Sequence, residues 1–213
     1  MKKYLSALIV AVFSLAASAH AVFVDLENVD VSADNADGEA MVFDDGAFQV
    51  WLGAYTVDGT AADPEFNAID DALISNAFGV GIRTGFFDPG QIDGISSREA
   101  LFVEIRDSGT GQIVEFTEIA FNLALSTDNV TVFAGNGIDD LTLTGLNVPI
   151  PPFNQVVSGS IFASSLMLAA FESDDGFYVE SIEFNPVPIP GALPLMAAGL
   201  GGLAFARKKR AAR

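Results

Sequence analysis

Alternation is the feature that most constrains the fold of this chain. In Leu101-Phe102-Val103-Glu104-Ile105-Arg106, residues Leu101, Val103 and Ile105 share one face of an extended chain. Phe102, Glu104 and Arg106 take the other face, so the run reads as a half-buried β-strand. Further on, Val114 and Phe116 have even parity, whereas Ile119, Phe121, Leu123 and Leu125 have odd parity. One strand keeps all of them on one face only with an extra residue inserted, which predicts a β-bulge or a strand break near Glu118.

Other runs read the same way. In Gln49–Val57, Val50, Leu52 and Ala54 alternate against Trp51, Gly53 and Tyr55. Strands are also predicted at Val22–Leu26, Phe78–Arg83, Asn129–Phe133, Leu141–Thr144, Val156–Ala163, Ser165–Phe171 and Phe177–Phe184. Turn residues separate them at Phe87–Gly90, Asp107–Gly111, Gly135–Gly137, Asn147–Pro152 and Asp174–Gly176. Asn67–Ser75 reads instead as one or two helical turns. Nine or ten short strands, with no helix long enough to connect parallel ones, argue for an all-β, jelly-roll-like antiparallel β-sandwich. Most of the 18 phenylalanines are then core.

The two ends of the chain follow other rules. Met1-Lys2-Lys3 is a short basic start, and the apolar run Tyr4–Ala17 leads into small residues at Ala17, Ala19 and Ala21. This is the layout of a secretory signal peptide, residues 1–21, cut by signal peptidase after Ala21 or after Ala19. At the other end, a proline spacer (186–190) precedes sixteen uncharged residues, Gly191–Ala206. As a helix that segment reaches about 24 Å, somewhat short of a bilayer core of roughly 30 Å. The last seven residues, 207–213, include Arg207, Lys208, Lys209, Arg210 and Arg213. Cations there hold a membrane-spanning segment with its C-terminus in the cytoplasm. The reading therefore gives a signal helix, an ectodomain (22–185), a C-terminal transmembrane helix (191–206) and a basic cytoplasmic tail.

Removing both ends changes the charge and the available chemistry. Arg83, Arg98 and Arg106 are the ectodomain's only cations against 28 acidic residues, so it carries −25. Such a surface repels nucleic acid and argues against it as a partner. The chain has no cysteine, and its one histidine, His20, lies in the signal peptide. Disulfides, Cys- or His-ligated metals and Ser-His-Asp or Cys-His catalysis are thus unavailable to the mature protein. A cysteine-free exported domain points to a bacterial source.

Remaining chemistry would have to use carboxylates or aromatics. Asp30, Asp34, Asp37 and Glu39 miss the ligand spacing of an EF-hand. Gly135–Leu141 is a single copy of a Gly-rich, Asp-containing pattern that binds Ca²⁺ only when stacked in repeats, so it reads as a hairpin turn. A structural Ca²⁺ on loop carboxylates is the one cofactor to weigh, with no ligand set assignable. Trp51 and Tyr55, on one strand face, are the candidate ligand-binding residues. A glycosidase would need two buried carboxylates facing each other across a cleft, and periodicity identifies no such pair.

The tail carries a resemblance. Val187-Pro188-Ile189-Pro190-Gly191-Ala192-Leu193-Pro194-Leu195, with Ala204-Phe205-Ala206-Arg207-Lys208-Lys209-Arg210, resembles the PEP-CTERM sorting signal of Gram-negative bacteria. Ile189 stands where the commonest form has Glu, and a subgroup with Val-Pro-Leu-Pro-Ala is closer. The sortase motif Leu-Pro-x-Thr-Gly is absent from Leu193–Ala197. The resemblance implies an exosortase-type membrane protease acting near Val187, Pro188, Ile189 and Pro190. It also implies transient residence in the inner membrane and a final place at the cell surface or in an exopolysaccharide matrix.

More loosely, Gly79–Ile82, Gln91–Gly94, Arg98–Leu101 and Phe177–Ile182 resemble segments of the β-sandwiches found ahead of such tails. The expectation is a non-enzymatic exported surface or matrix protein. The alternatives are a carbohydrate-binding or adhesive module, with or without Ca²⁺, and then a secreted glycosidase.

Overall fold

A computed structural model describes residues 21–32, 38–70, 72–84, 88, 90–94, 98–107, 114–122, 128–150 and 155–187. Residues 1–20 of the expected signal peptide, Pro188–Pro190, the apolar segment and the basic tail lie outside them, as do the expected helices at both ends. No helix among the described residues is long and apolar enough to cross a membrane.

Alternation becomes strand wherever a partner is within reach. In chain order the strands are β1 (Val22–Asp25), β2 (Ala40–Asp44), β3 (Phe48–Thr60), β4 (Asp63–Ala68), β5 (Leu73–Asn76), β6 (Gly79–Ile82) and β7 (Ile92–Asp93). There follow β8 (Glu99–Asp107), β9 (Val114–Asn122), β10 (Asn129–Gly135), β11 (Thr142–Pro149), β12 (Gln155–Ala163), β13 (Ser165–Ala169) and β14 (Gly176–Pro186). A 3₁₀ turn, Ile138–Asp140, precedes β11.

These strands form two antiparallel sheets. The first runs β12-β9-β14-β6-β5, with β1 and β7 also on β14; the second runs β11-β10-β13-β8-β3-β2, with β4 also on β3. Phe48, Val50, Leu52, Leu101, Val103 and Ile105 of the second sheet share one buried cluster with Phe116, Phe121, Phe177, Val179, Ile182 and Phe184 of the first. Phe48 and Phe184 meet edge-on across the sheets at 5.7 Å between ring centroids. Apart from that 3₁₀ turn the described residues are all-β, two antiparallel sheets on a shared core, consistent with a β-sandwich.

The parity change on β9 is a bulge. Phe116 pairs with Phe184 and Glu118 with Glu183, so Thr117 is the extra residue on β9. Its hydroxyl donates either to the Glu183 carbonyl at 3.2 Å or to Glu183 Oε1 at 3.3 Å. A matching irregularity on β14, between Val179 and Ser181, leaves Glu180 as the extra residue there. The buried set on β14 accordingly passes from Phe177 and Val179 to Ile182 and Phe184. Two bulges keep one continuous apolar face on neighbouring strands.

The described residues of Asn67–Ser75 form no helical turns. Phe66, Asn67 and Ala68 pair with Val57, Thr56 and Tyr55, and Leu73–Asn76 pairs with Ile82–Gly79. Cross-strand pairing overrides the local helical preference of the Ala-Ile-Asp-Asp-Ala-Leu run. Fourteen strands among the described residues exceed the nine or ten read from the sequence; the additional ones are β2, β4, β5 and β7, runs of two to six residues too short to show a clear period. Gly79, at φ 111°, brings its backbone so close to the Val179 carbonyl that a Cβ would collide with it.

Candidate functional site

Three places bear on function: the end of the first sheet where the chain leaves it, the Trp51 surface, and a buried carboxyl at the start of β8.

The first is built by β1 and β14. Val22 pairs with Phe184, Phe23 with Glu183, Val24 with Ile182 and Asp25 with Ser181. Val24 and Phe184 face the core, which sets the register; Phe23 and Glu183 consequently face outward. Ala21 is exposed and Val187 half-buried, while Ala19, Pro188, Ile189 and Pro190 lie outside the described residues. At the same end, Phe162 pairs with Glu115, which also pairs with Asn185. Phe162 and Phe23 are 62% and 58% exposed, and carboxylates sit opposite both.

Trp51 and Tyr55 do share a strand face, but the structure does not join them into one exposed surface. Trp51 is half-buried, with the Arg106 guanidinium 4.4 Å from its ring centroid. Its indole N–H donates to Gln49 Oε1 at 3.2 Å. Arg106 also reaches Glu39 Oε2 and Glu104 Oε2, both at 2.6 Å. Burial opposes the charge on Arg106, and the bonds to Glu39 and Glu104 outweigh it, so its pKa is raised. Tyr55 is instead 8% exposed, in an outer cluster with Phe102, Phe133 and Met167, and packs edge-on against Phe102 at 5.8 Å. Gly53 makes room for it, since a Cβ there would stand 3.0 Å from the Tyr55 ring. A second layer of packing has claimed Tyr55.

The third place was missed in the sequence. Glu99 is fully buried, and its Oε2 accepts a bond from the Asp93 N–H at 3.2 Å. Oε1 has no hydrogen-bond partner among the described residues. Burial pushes the Glu99 carboxyl up to about 8; Thr84 and the Asp93 amide oppose the shift, and the Asp93 and Asp88 carboxylates add to it. A signal was present, because Glu99 has the odd parity of Leu101, Val103 and Ile105, so alternation aims it at the core. Asp175, also buried, accepts from the Asn129 and Glu172 amides at 2.9 and 3.0 Å and so secures the turn before β14.

Chemically, Glu99 is a carboxyl that keeps its proton near neutral pH but is sealed from solvent. Among the described residues no group of three or more carboxylates is placed to hold a metal ion. A cavity of about 30 Å³ lies by the β9 bulge, lined by Phe116, Ile119, Val132 and Ile161 among others, with room for about one water. No family model matches this chain, and no curated protein is found similar to it.

Proposed function

We propose that this is an exported, non-catalytic protein of the cell surface or extracellular matrix, delivered by an exosortase-type C-terminal signal. In this reading a jelly-roll-like sandwich follows a cleaved signal helix (1–21). It is held for a time in the inner membrane by a helix at 191–206, before release into a surface or exopolysaccharide layer. The observation that carries it is the order of parts at the C-terminus: Val187-Pro188-Ile189-Pro190, an uncharged segment, then Arg207–Arg213. That signal begins directly after β14, so no linker separates the domain from the motif. A chain ending at Pro186 retains β14 and loses the address, and is expected to leave the membrane and surface fractions for the soluble one. Unchanged fractionation of the shortened chain would sink the proposal.

Glycan binding through Trp51 is the second reading. It is favoured by the half-exposed indole, one face of which carries the Arg106 guanidinium, with the partly exposed Glu104 carboxylate bonded to that cation as a polar group close by. On a glycan array the soluble domain is expected to lose binding as Trp51→Ala and to keep it as Trp51→Phe. Equal binding by the Ala variant removes this reading.

A further inference from the structure

Charge is spread unevenly along the domain. Residues 141–171 hold no Asp, Glu, Lys or Arg, a run of 31, whereas the next longest such run, 46–57, has 12. The long run supplies β11, β12 and β13. β13 lies within the second sheet between β10 and β8, but β12 ends the first sheet and β11 ends the second. Gly159 and Ile161 of β12 line the small cavity together with Val130 and Val132 of β10, the strand beside β11. Both uncharged end strands therefore run along the same side of the sandwich. Leu143 on β11 and Phe162 on β12 are exposed there, with Gly159 and Ser160.

Other end strands are guarded. β4 carries Asp63, Pro64 and Glu65, β2 ends in Asp44, β11 ends in Pro149, and β1 and β5 have four residues each. Charge, proline and shortness keep an unpaired backbone edge from recruiting another chain. β12 has nine residues with neither charge nor proline, and among the described residues it pairs with β9 alone.

The order of residues on β12 selects the occupant. Val156-Val157-Ser158-Gly159-Ser160-Ile161-Phe162 reads nearly alike in both directions. Set antiparallel to itself about Gly159, it brings Ser158 opposite Ser160, Val157 opposite Ile161 and Val156 opposite Phe162, which is the self-complementarity a two-fold interface requires. The register shift against β9, between Ser158 and Ile161, falls at the same centre. Two domains at −25 repel one another over most of their surfaces. Joined through β12, their β9 strands, which carry Glu115 and Glu118, stand three strand spacings apart. That is about 14 Å, beyond the roughly 8 Å over which charges act in physiological salt.

We propose that β12 is a docking edge for a second copy of this chain. The two β12 strands pair antiparallel about Gly159 and join the first sheets of two domains into one. This pairing is independent of how the protein is sorted.

The chain has no cysteine, so one introduced thiol reports on this edge. Gly159 lies outside the left-handed region, and a Cβ there would meet nothing within 4 Å, so Cys fits without disturbing the fold. A residue on the two-fold axis faces its own copy with Cα atoms about 4.5–5.5 Å apart, within disulfide range. The full-length Gly159→Cys chain is oxidised in intact cells that produce it. It is run on non-reducing gels beside Thr60→Cys, an exposed position next to the charged β4 edge. Gly159→Cys is expected to give at least about tenfold more disulfide-linked dimer than Thr60→Cys. Adding Phe162→Glu, at a position 62% exposed, sets a carboxylate on each arm of the pairing and is expected to cut the linked dimer by about tenfold. No excess of dimer over Thr60→Cys overturns the proposal, and so does crosslinking that Phe162→Glu leaves unchanged. A thiol at 159 that neither crosslinks nor reacts with maleimide shows the edge covered by a different partner, which also overturns it.

Discussion

Glu39 and Glu99 are both buried glutamates, 6% and 0% exposed, and their surroundings are opposite. Glu39 meets the Arg106 guanidinium at 2.6 Å, on the outer face of the second sheet where Trp51 stacks on the same cation. Glu99, at the other end of β8, has a backbone N–H for one oxygen and carboxylates for charged neighbours. The first region keeps a charge inside the protein by pairing it. The second keeps the carboxyl inside by leaving it protonated. With three arginines against 28 acids in the domain, the chain has few cations to spend, and two of them, Arg98 and Arg106, lie over aromatic rings.

The largest expected effect comes from breaking the paired region. Arg106→Met leaves Glu39 buried without its cation and removes the stack on Trp51. A fully buried pair would cost about 3–5 kcal/mol, and partial exposure of Arg106 brings the expectation to about 3 kcal/mol in urea denaturation. A loss under about 0.5 kcal/mol would mean that the pair is no stronger than an ordinary surface bridge.

The lone region responds to pH. The folded Glu99 carboxyl keeps its proton up to about pH 8, whereas the unfolded one loses it near 4.5. Between those values the folded state binds more protons, so stability falls as pH rises through the window and levels off above it. Glu99→Gln cannot ionise and escapes this loss. Its advantage over wild type is expected to be small at pH 4 and to grow to about 1–3 kcal/mol at pH 9, read from thermal unfolding across the range. A pH-independent difference between the two proteins contradicts the assignment.

A finer test concerns the groups that favour the charged form of Glu99. Thr84→Val removes one of them, so the Glu99 carboxyl is expected to titrate at still higher pH, followed by carboxyl-selective NMR. The stability change should stay near 0.5–1 kcal/mol. A downward move would show that Thr84 does not act on this carboxyl.

These contrasts were unevenly legible. Leu101, Val103 and Ile105 announce a core-facing strand, and extending their parity back by one step reaches Glu99. The bulge at Thr117 was readable because its apolar neighbours switch parity. The Glu39–Arg106 pair was not, since its partners stand 67 positions apart and charge carries no register. Tyr55 was assigned to a surface because alternation says which face a residue takes, not whether another layer covers that face. Asn67–Ser75 was misread because its local preference is helical and its strand partners, β3 and β6, are contributed by tertiary pairing.

By itself the sequence determined what depends on neighbours along the chain. That covers the period of two, the change of parity, the lack of cysteine and the single histidine at position 20, the acidic excess, and the spacer, apolar segment and basic end that follow β14. Tertiary structure alone decided which strands pair and so which residues meet. β1 lies on β14 because Val24 and Phe184 both need the same core, and that need appears only when residues 22 and 184 are side by side. A strand's hydrogen bonds are satisfied by another part of the chain, and no local pattern names that part.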